Sequence, residues 1–362
     1  NKLRARLRYE MESRGGQEIG AHAEIIQVAA GDIQSYRQLP KLLYSFDEIT
    51  KKAHPRLGLF GAAHSPSLNI HVLATSEDVQ KNYQKMLDKI WVEFFGKLKV
   101  NAAKTECGGY AFITAKGGTD YIRCPQCGYL NTQDFAQQTK TALPKEELCE
   151  LEKVATPDAH TIEALASFLD MPKEKTAKAV FMTAKIASAE KFVFAILRGD
   201  MELSEAKLMT ALGASEMRPA TDDEIIAVGA VPGYASPVSI KDVLVVVDDL
   251  IPESTNLVAG ANEAGYHLRN VNYGRDYTAK IVTDLALAQT GTPCPKCNTT
   301  LTQVSGVELV STTSSYATDE ARYTDENGKG LPIWVASWAL DLGRALATVA
   351  ESHHDEYGLL LP

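Results

Sequence analysis

Two cysteine pairs carry the clearest chemistry in this sequence. Cys124 and Cys127 stand in "YIRCPQCGYLN", and Cys294 and Cys297 stand far downstream in "TPCPKCNTTL". In both pairs Pro follows the first cysteine, and Gly or Asn follows the second, which makes a turn that aims two sulfurs at one point. This pattern predicts a four-thiolate zinc site, with disulfides or a redox CxxC pair as the alternatives.

Length and composition indicate a globular chain of two or three domains. The 362 residues are 45% hydrophobic and 23% charged, ordinary values for a soluble protein. No apolar run approaches the roughly 18 residues that cross a bilayer, so we expect no membrane partner. The opening "NKLRARLRYEMESRGG" is amphipathic and basic, unlike a signal peptide, and its first residue suggests a trimmed start. Cysteine usage fits the bacterial cytoplasm or an organelle matrix. The net charge of −9 argues against a general nucleic-acid coat, although a local basic face can still bind RNA.

The segment between the cysteine pairs has a complete α/β pattern of its own. "TIEALASFLDM" and "SEAKLMTALG" predict helices, the second with Ser204 as N-cap and Gly213 just after its end. "KAVFMTAKI", "KFVFAILRG" and "DVLVVVDDLI" predict strands, the first two joined by the polar turn "ASAE". A domain can be inserted where its termini lie close together, and a shared metal would pin them. We therefore predict a discontinuous domain of residues 1–150 and 292–362, with an inserted domain at 155–290.

Polar residues in the insert suggest a site for ester chemistry. Lys178 begins a strand, and the "GYASP" loop at 233–237 can expose backbone N–H groups. Such donors stabilise the oxyanion that forms when an ester is attacked, and a tight loop excludes larger side chains. The sequence shows no Ser–His–Asp or Cys–His motif, so it gives no indication of a covalent nucleophile. Taken alone, a lysine at a strand start is usually a surface residue, and a single histidine such as His267 is usually structural.

As a set, these segments resemble the editing domain inserted into bacterial-type prolyl-tRNA synthetases and its free-standing deacylase relatives. The match runs through "TIEALASFLDMPKEKTAKAVFM", "LRGDMELSEAKL", "GYASP", "GAN" and "YHLRNVNYGRD". The resemblance implies hydrolysis of the ester that joins a mischarged small amino acid, typically alanine, to the 3′ end of a tRNA. It places catalytic groups at Lys178, Gly233, Pro237 and His267, and substrate contacts at Gly260, Asn262 and Asp200. Met201 stands where the family usually has His, which puts fine specificity in doubt.

The resemblance extends to both ends of the chain. "LRYEMESRGGQEI", "DIQSYRQLPKLLY", "HPRLGL", "KNYQKMLDKIWVEFFGKL" and "PIWVASWALDLGRALATVAESHHDEYGLLLP" are similar to the class II motifs of the same synthetases. The implied fold is α+β: a class II antiparallel sheet with helices, interrupted by an α/β editing domain. The first motif implies a homodimer, and the cysteines imply structural Zn2+ beside the insert.

The resemblance also implies that several residues for amino-acid activation are replaced in this synthetase-like scaffold. Amino-acid activation needs arginines and metal-binding acids around ATP. In "DEITKKAHPRLGLFGAAHSPS", Lys51 or Lys52 replaces an arginine and Ala53 stands near a glutamate position. Lysine is a poor substitute for a bidentate guanidinium. Asp341 stands where a glycine would approach ATP, while Arg344 remains as a substrate contact or a structural ion-pair residue. We therefore expect proline activation to be lost, put ATP binding in doubt, and expect no anticodon-binding domain after "GLLLP".

Three functions follow from these observations. The first is an editing hydrolase that acts on mischarged tRNA through its aminoacylated 3′ end. The second is a non-enzymatic scaffold or regulatory subunit of a larger protein assembly. The third is a divergent proline–tRNA ligase, which proline-dependent ATP–pyrophosphate exchange would reveal.

Overall fold

The computed structural model describes residues 2–186, 189–240 and 243–360. Its α-helices are α1 (Lys2–Glu12), α2 (Ile25–Asp32), α3 (Glu77–Lys97), α4 (Ile162–Phe168), α5 (Glu205–Leu212), α6 (Asp222–Ala227) and α7 (Leu342–Ser352). Its strands are β1 (Gln17–Glu18), β2 (Lys41–Thr50), β3 (His64–Ala74), β4 (Ala102–Lys104), β5 (Tyr110–Ile113), β6 (Thr119–Arg123), β7 (Leu130–Thr132), β8 (Glu152–Ala155), β9 (Ala177–Ile186), β10 (Ala189–Arg198), β11 (Ala214–Pro219), β12 (Leu244–Asp248), β13 (Leu257–Gly260), β14 (Tyr266–Val271), β15 (Ile281–Thr283), β16 (Thr302–Thr324), β17 (Gly330–Asp341), β18 (His354–Asp355) and β19 (Gly358–Leu359).

The chain forms two compact units. The outer unit contains Asn1–Arg123, Gly128–Thr132 and Gln303–Pro362, and the inserted unit contains Cys124–Cys127 and Gln133–Thr302. Residues 124–127, 133–150 and 292–302, which we expected in the outer domain, group with the inserted unit. No helix in the described ranges is long and apolar enough to span a membrane.

The outer unit is built on one large sheet, with α1, α3 and α7 against one face and α2 against the other. Its strand order is β1-β2-β3-β17-β16-β5-β4, with β6 paired to β16 and β7 paired to β6. Strand residues alternate between faces, so Leu68 and Ile70 of β3 enter the core while Asn69 between them is only half-buried. Trp91 of α3 and Ala345 of α7 belong to that core. Strands β1 and β2 pair parallel, whereas the pairs β2–β3, β3–β17, β17–β16, β16–β5, β5–β4 and β6–β7 are antiparallel, which confirms the predicted α+β class.

The inserted unit combines a mixed five-stranded sheet with a smaller antiparallel one. Their strand orders are β11-β9-β10-β12-β15 and β13-β14-β8. The central strand β10 is buried on both faces, so Ala195 packs into one core and Phe194 into another. The predicted caps of α5 are confirmed, because Ser204 accepts from the Lys207 N–H and Gly213 has a φ of 60°. The predicted "ASAE" turn includes residues 187–188, which lie outside the described residues.

A buried lysine holds residues 133–150 to the rest of the inserted unit. Lys140 Nζ lies 2.6 Å from a carboxylate oxygen of each of Asp248, Asp249 and Asp284. The side chain of Asp248 is fully buried, and burial raises its pKa, whereas Lys140 opposes that rise. Lys207 also contacts Asp284, at 2.8 Å. Lys140 and Lys207 therefore offset two of the three negative charges, and Lys140 lies at the point where the three carboxylates converge.

Candidate functional site

The 233–237 loop lies directly against the end of β13. A Cβ added to Gly260 would lie 2.1 Å from the carbonyl carbon and oxygen of Tyr234 and 2.3 Å from the Ala235 nitrogen. Gly233 has a φ of +79°, and a Cβ there would lie 2.8 Å from the His160 Cβ. Both glycines are therefore required by backbone geometry, Gly260 for close approach and Gly233 for its left-handed conformation.

Asn262 holds this loop from behind. Its Oδ1 accepts from the Ser236 N–H at 3.0 Å, and its Nδ2 donates to the carbonyl oxygens of Ser236 at 3.1 Å and Val238 at 3.0 Å. Asn262 also has a φ of 54°, a conformation that asparagine tolerates better than most residues. We predicted a substrate contact at Asn262, and the structure places its amide in contact with the loop backbone.

Two backbone donors of the loop remain available. The Tyr234 N–H donates to the Val231 carbonyl at 2.9 Å, and the Ser236 N–H is used by Asn262. The N–H groups of Gly233 and Ala235 meet no acceptor among the described residues, and both residues line a cavity. Pro237 has no N–H to offer. The loop can thus present two donors to an oxyanion.

The cavity has a volume of about 270 Å³. Of the residues singled out in the sequence, Lys178, Gly233, Gly260 and His267 line it, whereas Pro237, Asn262 and Asp200 do not. Its walls also include residues that sequence reasoning missed, namely His160, Glu163, Phe181 and Glu202. The available signal for Glu202 was its position directly after Met201, within a segment that already carried the family resemblance.

Lys178 is paired inside this cavity. It is the second residue of β9, and its Nζ forms an ion pair with Glu202 Oε2. The side chains of Lys178 and Glu202 are 26% and 60% exposed, so solvent reaches the pair. Glu163 forms its ion pair with Lys173, at 2.6 Å. Lys178 therefore carries a charge that Glu202 already compensates.

His267 is a neutral hydrogen-bonding group. The residue is 4% exposed, and burial lowers its pKa to about 4. Its Nδ1 lies 2.6 Å from Thr156 Oγ1, and its ring centroid lies 5.3 Å from that of Tyr234. Thr156 fixes the ring, because a hydrogen bond at one nitrogen sets the tautomer at the other. His267 can thus orient a substrate or a water without adding charge.

We expect this burial to appear in a pH titration. In the unfolded chain the histidine pKa is near 6.5, so as the pH falls below 6.5 the unfolded state takes up the proton first. The free energy of unfolding should therefore fall between about pH 6.5 and 4, with His267 contributing up to about 3 kcal/mol. Histidine-selective NMR should show one resonance, absent in His267→Gln, that stays neutral down to about pH 5. A midpoint near 6.5 for that resonance would contradict the buried position.

Asp200 and Met201 contact the interior of the inserted unit. Asp200 accepts two hydrogen bonds from Arg198, at 2.6 and 2.7 Å, and the 3%-exposed Arg198 also donates to the Thr141 carbonyl. Met201 is buried in the core with Leu208. The replacement of the family histidine at Met201 therefore lies in the core and not in the wall of the cavity.

The four predicted cysteine ligands do converge. The Sγ atoms of Cys124 and Cys297 are 3.4 Å apart, those of Cys127 and Cys294 are 3.7 Å apart, and all four lie within 4.8 Å of one another. Tetrahedral zinc with Zn–S bonds of 2.3 Å spaces its sulfurs about 3.8 Å apart. The cysteines are free thiols, and disulfide bonds would need much shorter sulfur separations. This cluster can therefore hold a metal ion.

Metal analysis tests the zinc prediction. The purified chain should contain about one zinc per molecule, and the double variant Cys127→Ser/Cys297→Ser should contain none. Because metal binding contributes folding energy, the variant should also lose several kcal/mol of stability near the cysteines, visible as faster hydrogen exchange. Cys149→Ser is the matched control, since this exposed cysteine lies outside the cluster. Full occupancy by iron, or retention of zinc in the double variant, would contradict the prediction.

In the outer unit, Asp341 forms ion pairs with two of the cations singled out in the sequence, Lys51 and Arg344. Its Oδ1 caps α7 by accepting from the Arg344 N–H at 2.9 Å, and it also accepts from the Ser65 hydroxyl. Its Oδ2 lies 3.3 Å from Lys51 Nζ and 3.6 Å from Arg344 Nε. Arg344 also lines a cavity of about 620 Å³ with His54 and Arg56. Lys51 and Arg344 are thus already paired with a carboxylate that is 4% exposed.

Comparison with known proteins shows which family the segment around this cavity matches. Residues 156–277 match the family model of the aminoacyl-tRNA editing domain. The proline–tRNA ligase of Dehalococcoides mccartyi is 36% identical over 94% of this chain and 62% of its own length. That of Bacillus subtilis is 32% identical over 97% of this chain and 66% of its own. A solved structure titled a putative trans-editing enzyme for prolyl tRNA synthetase is 17% identical over 38% of this chain and 87% of its own, with a TM-score of 0.32.

The cavity therefore lies in an editing domain carried by a class II scaffold. The chain is a prolyl-tRNA synthetase-like protein with an editing domain, as the sequence segments indicated. It spans a little over three fifths of the length of the ligases that it matches.

Proposed function

We propose that the inserted unit hydrolyses the ester between a small amino acid and the 3′ end of a tRNA. One observation carries this proposal: two backbone N–H groups that meet no acceptor in the described part of the chain line the same small cavity as Lys178 and a neutral His267. These are the groups that an ester hydrolase needs to hold a carbonyl, stabilise an oxyanion and orient water. The tRNA partner and a bacterial-cytoplasmic or organellar location follow from the same proposal.

In this reaction a water molecule attacks the ester carbonyl carbon. The carbonyl oxygen gains negative charge and receives hydrogen bonds from the Gly233 and Ala235 N–H groups. The bond to the 3′ oxygen then breaks, the water's proton ends on that oxygen, and the free amino acid leaves. His267 orients the substrate or the water, since its low pKa makes it a poor proton acceptor. Phe181 and the loop limit the size of the side chain that enters.

Deacylation of alanyl-tRNA specific for proline tests this function. The full chain should hydrolyse the ester, and Lys178→Ala should slow the reaction by roughly 10- to 100-fold because it removes a charged contact from the cavity. Lys191→Ala is the matched control, since Lys191 is an exposed residue of β10 outside the cavity. Binding of free tRNA should be measured alongside. A folded chain that binds tRNA without turnover would overturn the proposal and lead to a search for a protein partner.

We propose further that the outer unit no longer activates proline. Asp341 supports this, because its carboxylate pairs with both Lys51 and Arg344 and so reduces the positive charge that they could offer a triphosphate. The resemblance also implies that the other activating groups are replaced. ATP–pyrophosphate exchange should show no proline dependence, in the wild type and in Asp341→Gly alike. Proline-dependent exchange would support the ligase alternative instead.

The cysteine cluster is proposed to hold Zn2+ as a structural ion. Its donor set is four thiolates with sulfur spacings that match tetrahedral coordination. Bound zinc would cross-link the pair Cys124 and Cys127 to the pair Cys294 and Cys297. No catalytic step depends on it, because the cysteines are absent from the lining of the editing cavity.

A further inference from the structure

We infer that Glu202 receives the α-ammonium group of the aminoacyl ester, so that the cavity selects substrates whose amino group is free. This inference rests on the proposed hydrolase function and names the substrate class of the same site. Esters whose amino group is acylated would be discriminated against, whatever their side chain.

The charges that line the cavity favour a cation over an anion. Two carboxylates, Glu163 and Glu202, line it beside a single ammonium, that of Lys178. Lys178 is already paired with Glu202, so its charge is less available to an entering phosphate. Residues 133–302 as a whole contain 24 Asp and Glu against 16 Lys and Arg, so the electrostatic potential around the cavity is also negative and favours a cation. An α-ammonium group is the cationic part that every unblocked aminoacyl ester carries.

Glu202 is better placed for this role than Glu163. The partner of Glu202 is Lys178, which also lines the cavity, whereas Lys173, the partner of Glu163, does not. Only Oε2 of Glu202 is engaged, and no hydrogen bond from the described residues reaches its Oε1. A carboxylate can accept several hydrogen bonds, so Oε1 can accept from an ammonium while Oε2 keeps Lys178.

The arrangement also assigns Lys178 a positioning role. Through its ion pair, Lys178 of β9 holds the Glu202 carboxylate at the side of the cavity that β9 forms. The donors of Gly233 and Ala235 line the same cavity as this carboxylate. An α-amino ester carries its carbonyl and its ammonium on either side of one carbon atom. The two sets of protein groups would therefore fix both ends of the reacting part of the substrate.

The test uses the full chain and two matched pairs of compounds. The first pair is alanyl-tRNA and N-acetylalanyl-tRNA, compared by kcat/KM for deacylation. The second pair is 3′-alanylamino-3′-deoxyadenosine and its N-acetyl derivative, which carry a stable amide and report binding alone. Wild-type protein should prefer the free amine by about 10- to 100-fold in both assays. Glu202→Gln should bring both ratios close to one, and Glu205→Gln, an exposed carboxylate outside the cavity, is the control and should leave them unchanged.

Each outcome decides between the inference and the function on which it rests. Turnover without preference for the free amine, or a preference that survives in Glu202→Gln, overturns the role of Glu202 and leaves the hydrolase in place. Preferential binding of the free amine that Glu202→Gln abolishes, without any turnover, supports Glu202 and overturns the hydrolase. Absence of both turnover and selective binding overturns both.

Discussion

Gly260→Ala should lower the rate of aminoacyl-ester hydrolysis by about 100- to 1,000-fold, the loss typical of a disrupted oxyanion site. The added methyl carbon would lie 2.1 Å from the Tyr234 carbonyl and 2.3 Å from the Ala235 nitrogen. These are backbone atoms that cannot rotate away, so the loop must move. Because Ala235 carries one of the two available N–H groups, its displacement removes a donor from the reaction. Steady-state deacylation with alanyl-tRNA would measure the loss.

The matched control is Gly96→Ala. A Cβ at Gly96 in α3 would meet no atom within 4 Å, so this variant adds the same methyl group without displacing backbone. It should keep full activity. Asn262→Ala should move the loop from its other side, since it removes the hydrogen bonds to Ser236 and Val238, and should also reduce activity. Unchanged activity in both Gly260→Ala and Asn262→Ala would show that this loop does not supply the oxyanion donors.

Lys140→Met should destabilise the inserted unit by about 3–5 kcal/mol, the cost of removing one partner from a buried ion pair. The lysine side chain is 9% exposed, and Asp248 opposite it is fully buried. Methionine keeps much of the volume and leaves Asp248 without its cation. Native-state hydrogen exchange of β12 measures this change, because all three tryptophans, Trp91, Trp334 and Trp338, lie in the outer unit and fluorescence would follow that unit.

Lys145→Met provides the matched control within the same segment. Lys145 pairs with Glu253 at 3.2 Å, but the two side chains are 78% and 54% exposed. Solvent-exposed pairs contribute between about 0 and 1 kcal/mol, so this variant should be nearly neutral. Adding Asp248→Asn to Lys140→Met should recover part of the loss, since it removes the unpaired charge. Equal stability of the Lys140 and Lys145 variants would refute the account of a buried charge cluster.

Local sequence patterns were sufficient where neighbouring residues interact. Ser204 and Gly213 cap α5 because capping needs only residues at fixed offsets along one helix. The turn between paired cysteines aims their sulfurs for the same reason, and the four ligands converge as predicted. Gly260 was singled out through a short motif, although its physical role, contact with the Tyr234 backbone, involves a residue far from it in sequence.

Side-chain partners distant in sequence could not be predicted in this way. Asn262 was expected to contact substrate, and its hydrogen bonds to the backbone of Ser236 and Val238 were not foreseen from its motif. Asp341 was interpreted only as the replacement of a glycine that would approach ATP, and the structure shows it as the cap of α7 and the partner of Lys51, 290 residues away. Such pairs depend on which strands meet and in what register, and no short segment carries that information.

The sequence by itself determined the family resemblance, the secondary-structure class, the four cysteines that converge and the segments that contain the candidate site. These properties depend on residue types and spacings within short stretches of chain. Tertiary structure alone decided that Glu202 lies beside Lys178, that the Gly233 and Ala235 N–H groups meet no acceptor among the described residues, and that burial lowers the pKa of His267. The physical reason is that charge, hydration and hydrogen-bond capacity belong to a residue's surroundings, and folding brings those surroundings from different parts of the chain.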